Sequence, residues 1–446
     1  MKMRFLKWLS VLVWSAATLS PAHAALEIVI TEGMDDARPV AIVPFQWNGT
    51  TVAPPQDMAE IIARDLERSG RFRPMAVGDM PERPFVAGQV NLAAWRNKGI
   101  EAVVVGKMME TAPGQFQIGF ELIDVFKGRD KSATAMGSSA VIEARQHLVP
   151  SAGVRMHAHK MADIIYEKLT GERGAFATHI AYVNIDRSDR LPYKLFVADS
   201  DDYNPRVIAS STEPLMSPAW AKDGRRLAYV SFEKGRSQLF VQDIYTGQRQ
   251  VVAAFPGHNG APAWSPDGSK LAMSLSHEGN PEIYVYEVAS RQSRRITTTG
   301  IGIIDTDPTW SPDGQYIAFT SDRGGKPQVY RVHLASGQTQ RMTFEGDYNS
   351  EPEYSPDGKK LVMINRTAGQ FRVGIQDLAS GSLQVLTDTQ LDQSPSLAPN
   401  GSMVIYATLH RGQQVLAVVS TDGRFKARLQ ARKGEVRAPA WSPFLD

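Results

Sequence analysis

The chain has 446 residues, 42% of them hydrophobic and 22% charged, with 49 Lys and Arg against 47 Asp and Glu for a formal net charge of +2. So even a balance gives no electrostatic reason for a nucleic-acid partner. The absence of cysteine excludes disulfide staples, thiol catalysis and thiolate metal sites together.

Residues 1–24 read as a secretory signal peptide. Lys2, Arg4 and Lys7 make a basic start, Phe5 to Leu19 is apolar but too short to span a bilayer, and Ala22-His23-Ala24 supplies the small residues of a cleavage site. Removing those three of the 49 basic residues leaves 46 against 47 acids, close to neutral. No later apolar run is long enough for a membrane helix, so the expected location is the periplasm, with no membrane span.

Residues 25–170 are expected to form an α/β domain. Ile28 to Ile30 and Val40 to Val43 read as short strands. Asp57 to Ser69 carries apolar residues at Met58, Ile61, Ile62 and Leu66 and stops at Gly70, the pattern of a helix with one buried stripe. Asn91 to Lys98 is a shorter helix. Ala102 to Val105, Gln117 to Val125 and Ser138 to Glu143 read as strands, and Gly153 to Leu169 as a last helix. Residues 171–177 serve as a linker.

Residues 178–446 are dominated by a phrase that recurs six times: Pro218-Ala-Trp-Ala-Lys-Asp-Gly224, Pro262-Ala-Trp-Ser-Pro-Asp-Gly268, Pro308-Thr-Trp-Ser-Pro-Asp-Gly314, Pro352-Glu-Tyr-Ser-Pro-Asp-Gly358, Pro395-Ser-Leu-Ala-Pro-Asn-Gly401 and Pro439-Ala-Trp-Ser-Pro-Phe-Leu445. Its third positions, Trp220, Trp264, Trp310, Tyr354, Leu397 and Trp441, lie 44, 46, 44, 43 and 44 residues apart, the length of a whole structural unit. Each copy continues into further short β-prone runs separated by turn residues, which gives four antiparallel strands, A to D, per repeat. The Ser-Pro-Asp-Gly tetrad suits the A–B hairpin, with Pro presetting one backbone angle and Gly accepting a positive one. B strands such as Leu227 to Val230 and Leu271 to Met273 are apolar on both faces and must be covered on both, as in the blades of a propeller.

The sixth copy ends where the others turn into strand B. Three orphan strands upstream, His179 to Val183, Lys194 to Ala198 and Arg206 to Ile208, match B, C and D. The C-terminal A strand, about Arg437 to Ser442, is therefore expected to join them. The fold class is a two-domain chain, an N-terminal α/β domain followed by a six-bladed β-propeller closed by its last strand.

The D–A connections are where the copies disagree most, and in a propeller they share one face around the channel. Function is expected there rather than in the repeated phrase. The tryptophans suit blade packing better than carbohydrate stacking, and Asp267, Asp313 and Asp357 are turn residues before they are calcium ligands. No cofactor or metal is expected. His157 and His159 lie two apart on a helix, which points their rings to different faces and suits a solvated or helix-packing pair rather than a ligating one. The enzymatic alternative, a propeller attached to a serine peptidase-like hydrolase, needs a Gly-x-Ser-x-Gly elbow that the chain lacks.

The whole of the chain beyond the signal resembles the TolB family, periplasmic β-propeller components of the Tol–Pal system. The phrases that carry the resemblance include Val43-Pro-Phe-Gln-Trp47, Ser69-Gly-Arg-Phe72, His258-Asn-Gly-Ala-Pro262, Ser396-Leu-Ala-Pro-Asn-Gly401, Ser420-Thr-Asp-Gly-Arg-Phe-Lys-Ala-Arg-Leu429 and Pro439-Ala-Trp-Ser-Pro443. The resemblance implies a binding protein and not an enzyme, acting as a monomer in outer-membrane integrity and constriction at division. It implies that the propeller binds the peptidoglycan-associated lipoprotein Pal. His258, Ala261 and Thr306 fall at the family's Pal-contacting positions, with Asn259, Asp307, Ser350, Glu351 and Ser394 beside them. It further implies that the first mature residues, Ala25, Leu26, Glu27, Ile28, Val29 and Ile30, dock on TolA, that the two events are coupled, and that bacteriocins, and other outer-membrane lipoproteins, are further partners. For Asp307 and Glu351 a purely structural reading competes, capping the start of strand A.

Overall fold

A computed structural model describes residues 28–33, 35–127, 140–429 and 433–445. The expected signal peptide and Ala25, Leu26 and Glu27 lie outside the described residues. Among those described, no helix is long and apolar enough to cross a membrane.

The N-terminal domain is a mixed sheet with its two longer helices on one face and a short one on the other. Its strands are β2 (Arg38–Ile42), β3 (Gln46–Asn48), β4 (Phe72–Pro74), β5 (Ala102–Ala112), β6 (Gln115–Asp124) and β7 (Val141–Pro150), after a strand β1 (Ile28–Glu32) that belongs elsewhere. The order is β4-β2-β5-β6-β7, with β3 also on β5; β2 runs parallel to β4 and β5, and β5, β6 and β7 are antiparallel. Helices α1 (Met58–Arg68) and α3 (Val154–Thr170) bury Ile62, Leu66, Ala158 and Ile165 against Val104, Ile118 and Leu122. Asp57 starts α1 by accepting from Glu60 N, as a capping carboxylate should. The alternate residues Val103 and Val105 face the other side, where Trp95 of α2 (Leu92–Asn97) covers them.

Six propeller sheets follow, five of four strands and one of five, and the ring closes as the repeat count requires. Glu435–Trp441 pairs antiparallel with His179–Ile185, in the order D-C-B-A with the C-terminal strand innermost. Ser442 Oγ secures the seam by accepting from His179 N at 2.9 Å. The repeated tryptophans join neighbouring blades: Trp220 Nε1 donates to Ala440 O (3.1 Å), Trp264 to Ala219 O (3.2 Å) and Trp310 to Ala263 O (3.1 Å). In the A–B hairpin Gly268 has φ 70°, Ser265 Oγ donates to Asp267 Oδ1 (2.6 Å), and Lys270 N donates back to Ser265 Oγ (2.9 Å). Leu227, Ala228, Tyr229 and Val230 are buried, as strands covered on both faces must be.

One expectation changes. Ile28 to Ile30 is a strand, but not of the α/β domain. β1 pairs antiparallel with Lys426–Leu429 and becomes the fifth, outermost strand of the sixth blade, with Val29 opposite Arg428 and Ile30 opposite Ala427. An outer D strand leaves one edge of backbone donors and acceptors unpaired, and β1 satisfies it. Ile30 packs on a cluster containing Phe425 and Met403, and Lys426 Nζ reaches Glu32 Oε2 at 3.0 Å. The segment leaves the propeller through Gly33, at φ 98°, where a Cβ would stand 2.3 Å from Arg424 O.

Candidate partner-binding rim

Every inner strand begins with the same distortion. The residue before each proline, Ser217, Ala261, Asp307, Glu351, Ser394 and Ala438, has φ between 46° and 51°, and the pairing with strand B slips there in all six blades. A left-handed residue ahead of proline is unfavourable in isolation, so the bulge is held by the ladder on either side of it. All six line a central channel of about 480 Å³.

The channel is acidic in one sector. Glu351 Oε2 accepts from Ser394 N at 2.6 Å and Glu353 Oε2 from Leu397 N at 3.1 Å, so both glutamates reach across to the next blade's inner strand. Burial pushes the Glu353 carboxyl up to about 8, against the backbone hydrogen bond that favours its charge. Glu351 is pushed up to about 7 by burial and then by the neighbouring charge of Asp307, whose own carboxyl burial also raises. Glu351 bridges blades, whereas Asp307 Oδ1 accepts from Thr306 Oγ1 of its own strand at 3.4 Å.

Of the residues singled out in the sequence, Ala261, Asp307, Glu351 and Ser394 thus come together in the channel, with half-buried Thr306 beside them. His258 is exposed on the connection that leads into the inner strand carrying Ala261. Its N–H donates to Ser276 Oγ (2.7 Å), and its ring lies over Gly260, where a Cβ would stand 2.7 Å from His258 Cε1. Partial loss of water around the ring holds its pKa below the usual imidazole value.

Asn259 and Ser350 are placed differently from the expectation. Both are buried, at 0% and 5% exposure. Asn259 uses its amide inside the loop, accepting from Phe255 N (3.0 Å) and donating to Phe255 O (2.7 Å) and Ser237 O (3.1 Å). An amide so fully engaged holds the loop that presents His258 and offers nothing outward. Ile28, Val29 and Ile30 lie in β1, on the far edge of the sixth blade from its channel strand.

Two features escaped the sequence. Glu353 is one; its signal was a charge at a position where the other copies carry Ala, Thr or Ser. The other is an apolar set on the same D–A connections, with Ile301 fully exposed and Phe344 73% exposed. His157 and His159 also part company: His157 packs on His147 with centroids 5.1 Å apart, whereas His159 is fully buried beside Asp65 and is not solvated.

Comparison with known proteins agrees with this architecture. Residues 166–445 match the family described as the TolB beta propeller domain, and residues 26–131 match the TolB amino-terminal domain. The Tol-Pal system protein TolB of Pasteurella multocida is 46% identical over 448 residues, and that of Hamiltonella defensa 45% identical over 445, each covering 100% of both chains. The crystal structure of TolB from Acinetobacter baumannii superimposes with a TM-score of 0.84 at 39% identity, covering 94% of this chain and 100% of that one.

Proposed function

The chain belongs to the TolB family, the non-enzymatic propeller proteins of the Tol-Pal system, and on that premise we propose that it is a periplasmic adaptor with two separate docking elements. The channel mouth binds the lipoprotein Pal through His258, Ala261 and Thr306, flanked by Asp307, Glu351 and Ser394. The mature N-terminal segment, β1 included, docks on TolA, and the pair of events supports outer-membrane integrity and constriction during division. Bacteriocins use the same mouth.

The observation that carries this reading is the division of labour in the repeat. Residues that recur form turns and blade contacts, and residues that differ between copies, Ala261, Asp307, Glu351 and Ser394, line the channel, with exposed His258 three positions ahead of Ala261. β1 supports the second element, since a strand held along one edge only can leave without opening the ring.

Pull-down of Pal and of the TolA C-terminal domain tests both parts, using the full mature protein and a version that starts after Gly33. Loss of TolA with Pal retained is the expected result, and loss of neither leaves β1 without a role. His258→Ala and Thr306→Ala should each weaken Pal binding by about 2 kcal/mol, the size of a hot spot. Unchanged affinity in both would move the site away from this rim.

A further inference from the structure

The two domains meet at a buried set of charges that the channel and β1 do not involve. From α1 come Asp65 and Arg68, from α3 Arg155, His159 and Asp163, and from the propeller Asp199, Asp201 and His179. His159 is 0% exposed and its Nδ1 lies 2.6 Å from Asp65 Oδ2. Arg68 Nη2 reaches Asp65 Oδ1 (2.8 Å) and crosses the interface to Ser200 Oγ (2.8 Å). Arg155 pairs with Asp201, sits 3.6 Å from Asp199 Oδ2 and lies 3.7 Å over the Tyr203 ring. His179 Nε2 is 3.5 Å from Asp199 Oδ1, while Asp202 turns away to Tyr182 Oη. Asp163 accepts from Phe176 N (2.7 Å) and Ala177 N (3.2 Å) in the linker.

One atom each of Asp65, His159 and Asp201 lie within 4.8 Å of one another, which is cation-site spacing. The cationic role is already filled, because each of those acids has a guanidinium. With Asp163 protonated the remaining imbalance is a single charge, Asp65, Asp199 and Asp201 against Arg68 and Arg155, and ionised Asp163 adds a second. Asp65 holds Nδ1 as a donor, so the proton that comes and goes is the one on Nε2, a buried nitrogen with no hydrogen-bond partner.

We infer that this cluster is a proton-dependent clasp between the domains: with His159 charged and Asp163 protonated the interface is neutral and closed, and loss of those protons leaves buried negative charge that loosens the N-terminal domain from the propeller. Burial alone would strip the proton. The charge of Asp65, its hydrogen bond and the charge of Asp201 outweigh that, and His159 titrates above the ordinary imidazole value. Asp163 acts in the same direction, since burial raises its carboxyl to about 6. A group with a raised pKa in the closed state stabilises that state fully below its open-state pKa and stops doing so as pH rises through the closed-state value.

The test uses the full mature chain, which has no native cysteine, with spin labels on Lys98→Cys and Thr246→Cys, both exposed and one in each domain. Between about pH 6 and about pH 9 the single inter-label distance should give way to a second, displaced population. The ratio of open to closed should rise about tenfold for each unit by which the closed-state pKa exceeds the open-state one. His159→Gln, neutral throughout, should show the displaced population at both pH values. Asp201→Asn removes one of the buried negative charges without the proton and should show less of the displaced population than wild type at the higher pH. A wild-type distance that ignores pH overturns the clasp, and so does an Asp201→Asn variant that opens on the wild-type profile. Saturable zinc binding at high pH that restores the single distance would put a metal in place of the proton and overturn it as well.

Discussion

At the domain interface Asp199 and Asp201 face Arg155 and Asp65 faces Arg68, whereas in the channel Asp307, Glu351 and Glu353 bond hydroxyls and backbone amides. The consequences are opposite. Burial acts to raise the Asp201 carboxyl, but His159, Arg68 and Arg155 more than offset it and hold the carboxyl below its usual range. Glu353, with a backbone amide but no cation, rises to about 8. Across the interface Arg155 of α3 reaches Asp199 and Asp201, and Arg68 of α1 reaches Ser200. Acids without a guanidinium partner leave an electrostatic penalty in the wall of a channel, at the end where a partner is proposed to dock.

The largest effect should come from breaking the compensated cluster. Arg155→Ala removes the cation from both Asp199 and Asp201 and the ring contact with Tyr203, and should lower unfolding free energy by about 3–5 kcal/mol in urea. A loss below about 1 kcal/mol would mean that the pair behaves as an exposed one and that the contrast between the clusters is false. The uncompensated cluster predicts the reverse sign. Glu353→Gln keeps an oxygen to accept from Leu397 N and discards the charge. The wild-type Glu353 carboxyl is raised in the folded state, so its proton is held longer there. Wild-type stability should therefore decline from the ordinary carboxylate range up to about pH 8, and the variant should lack that decline. A gain of about 1–2 kcal/mol at pH 8, discounted for water in the channel, is expected from thermal melts across pH. A variant less stable than wild type at that pH would show that the carboxylate is compensated after all.

These two clusters were not equally legible in the sequence. The propeller, its closure and the position of the channel face follow from local chemistry repeated six times: Pro and Gly in the hairpin, apolar B strands, a missing B strand at the end matched by one to spare at the start. Asp307 and Glu351 could be found because they stand at a known offset from a repeated proline. Their left-handed backbone could not, since a residue before proline is expected to be extended and the bulge is imposed by pairing to strand B. The interface cluster leaves almost no local trace: only His159 stands out, by its spacing from His157, and it reads as a packing or solvated residue. His159 and Asp65 are 94 residues apart, and neither sits in a motif. In the same way the pattern at Ile28 to Ile30 announces a strand but not its partner, because the edge it joins is formed by residues some four hundred positions later.

The smallest effect tests the rim itself and separates a histidine that binds from one that only packs. Gly260 has no strained backbone angle of its own, but a methyl there would meet the His258 ring at 2.7 Å, with backbone spared and only the side chain obliged to move. Gly260→Ala should therefore leave the melting curve close to wild type, within about 0.5 kcal/mol, and weaken Pal binding by about 1 kcal/mol by displacing the ring. In a His258→Ala background the same substitution has no ring to displace and should add nothing. Isothermal titration of the four proteins of that cycle gives the coupling directly. Additive losses would mean that Gly260 matters for a reason unconnected with His258, and the mouth would then read its partner through the backbone of the bulge rather than through the one histidine that the six copies do not share.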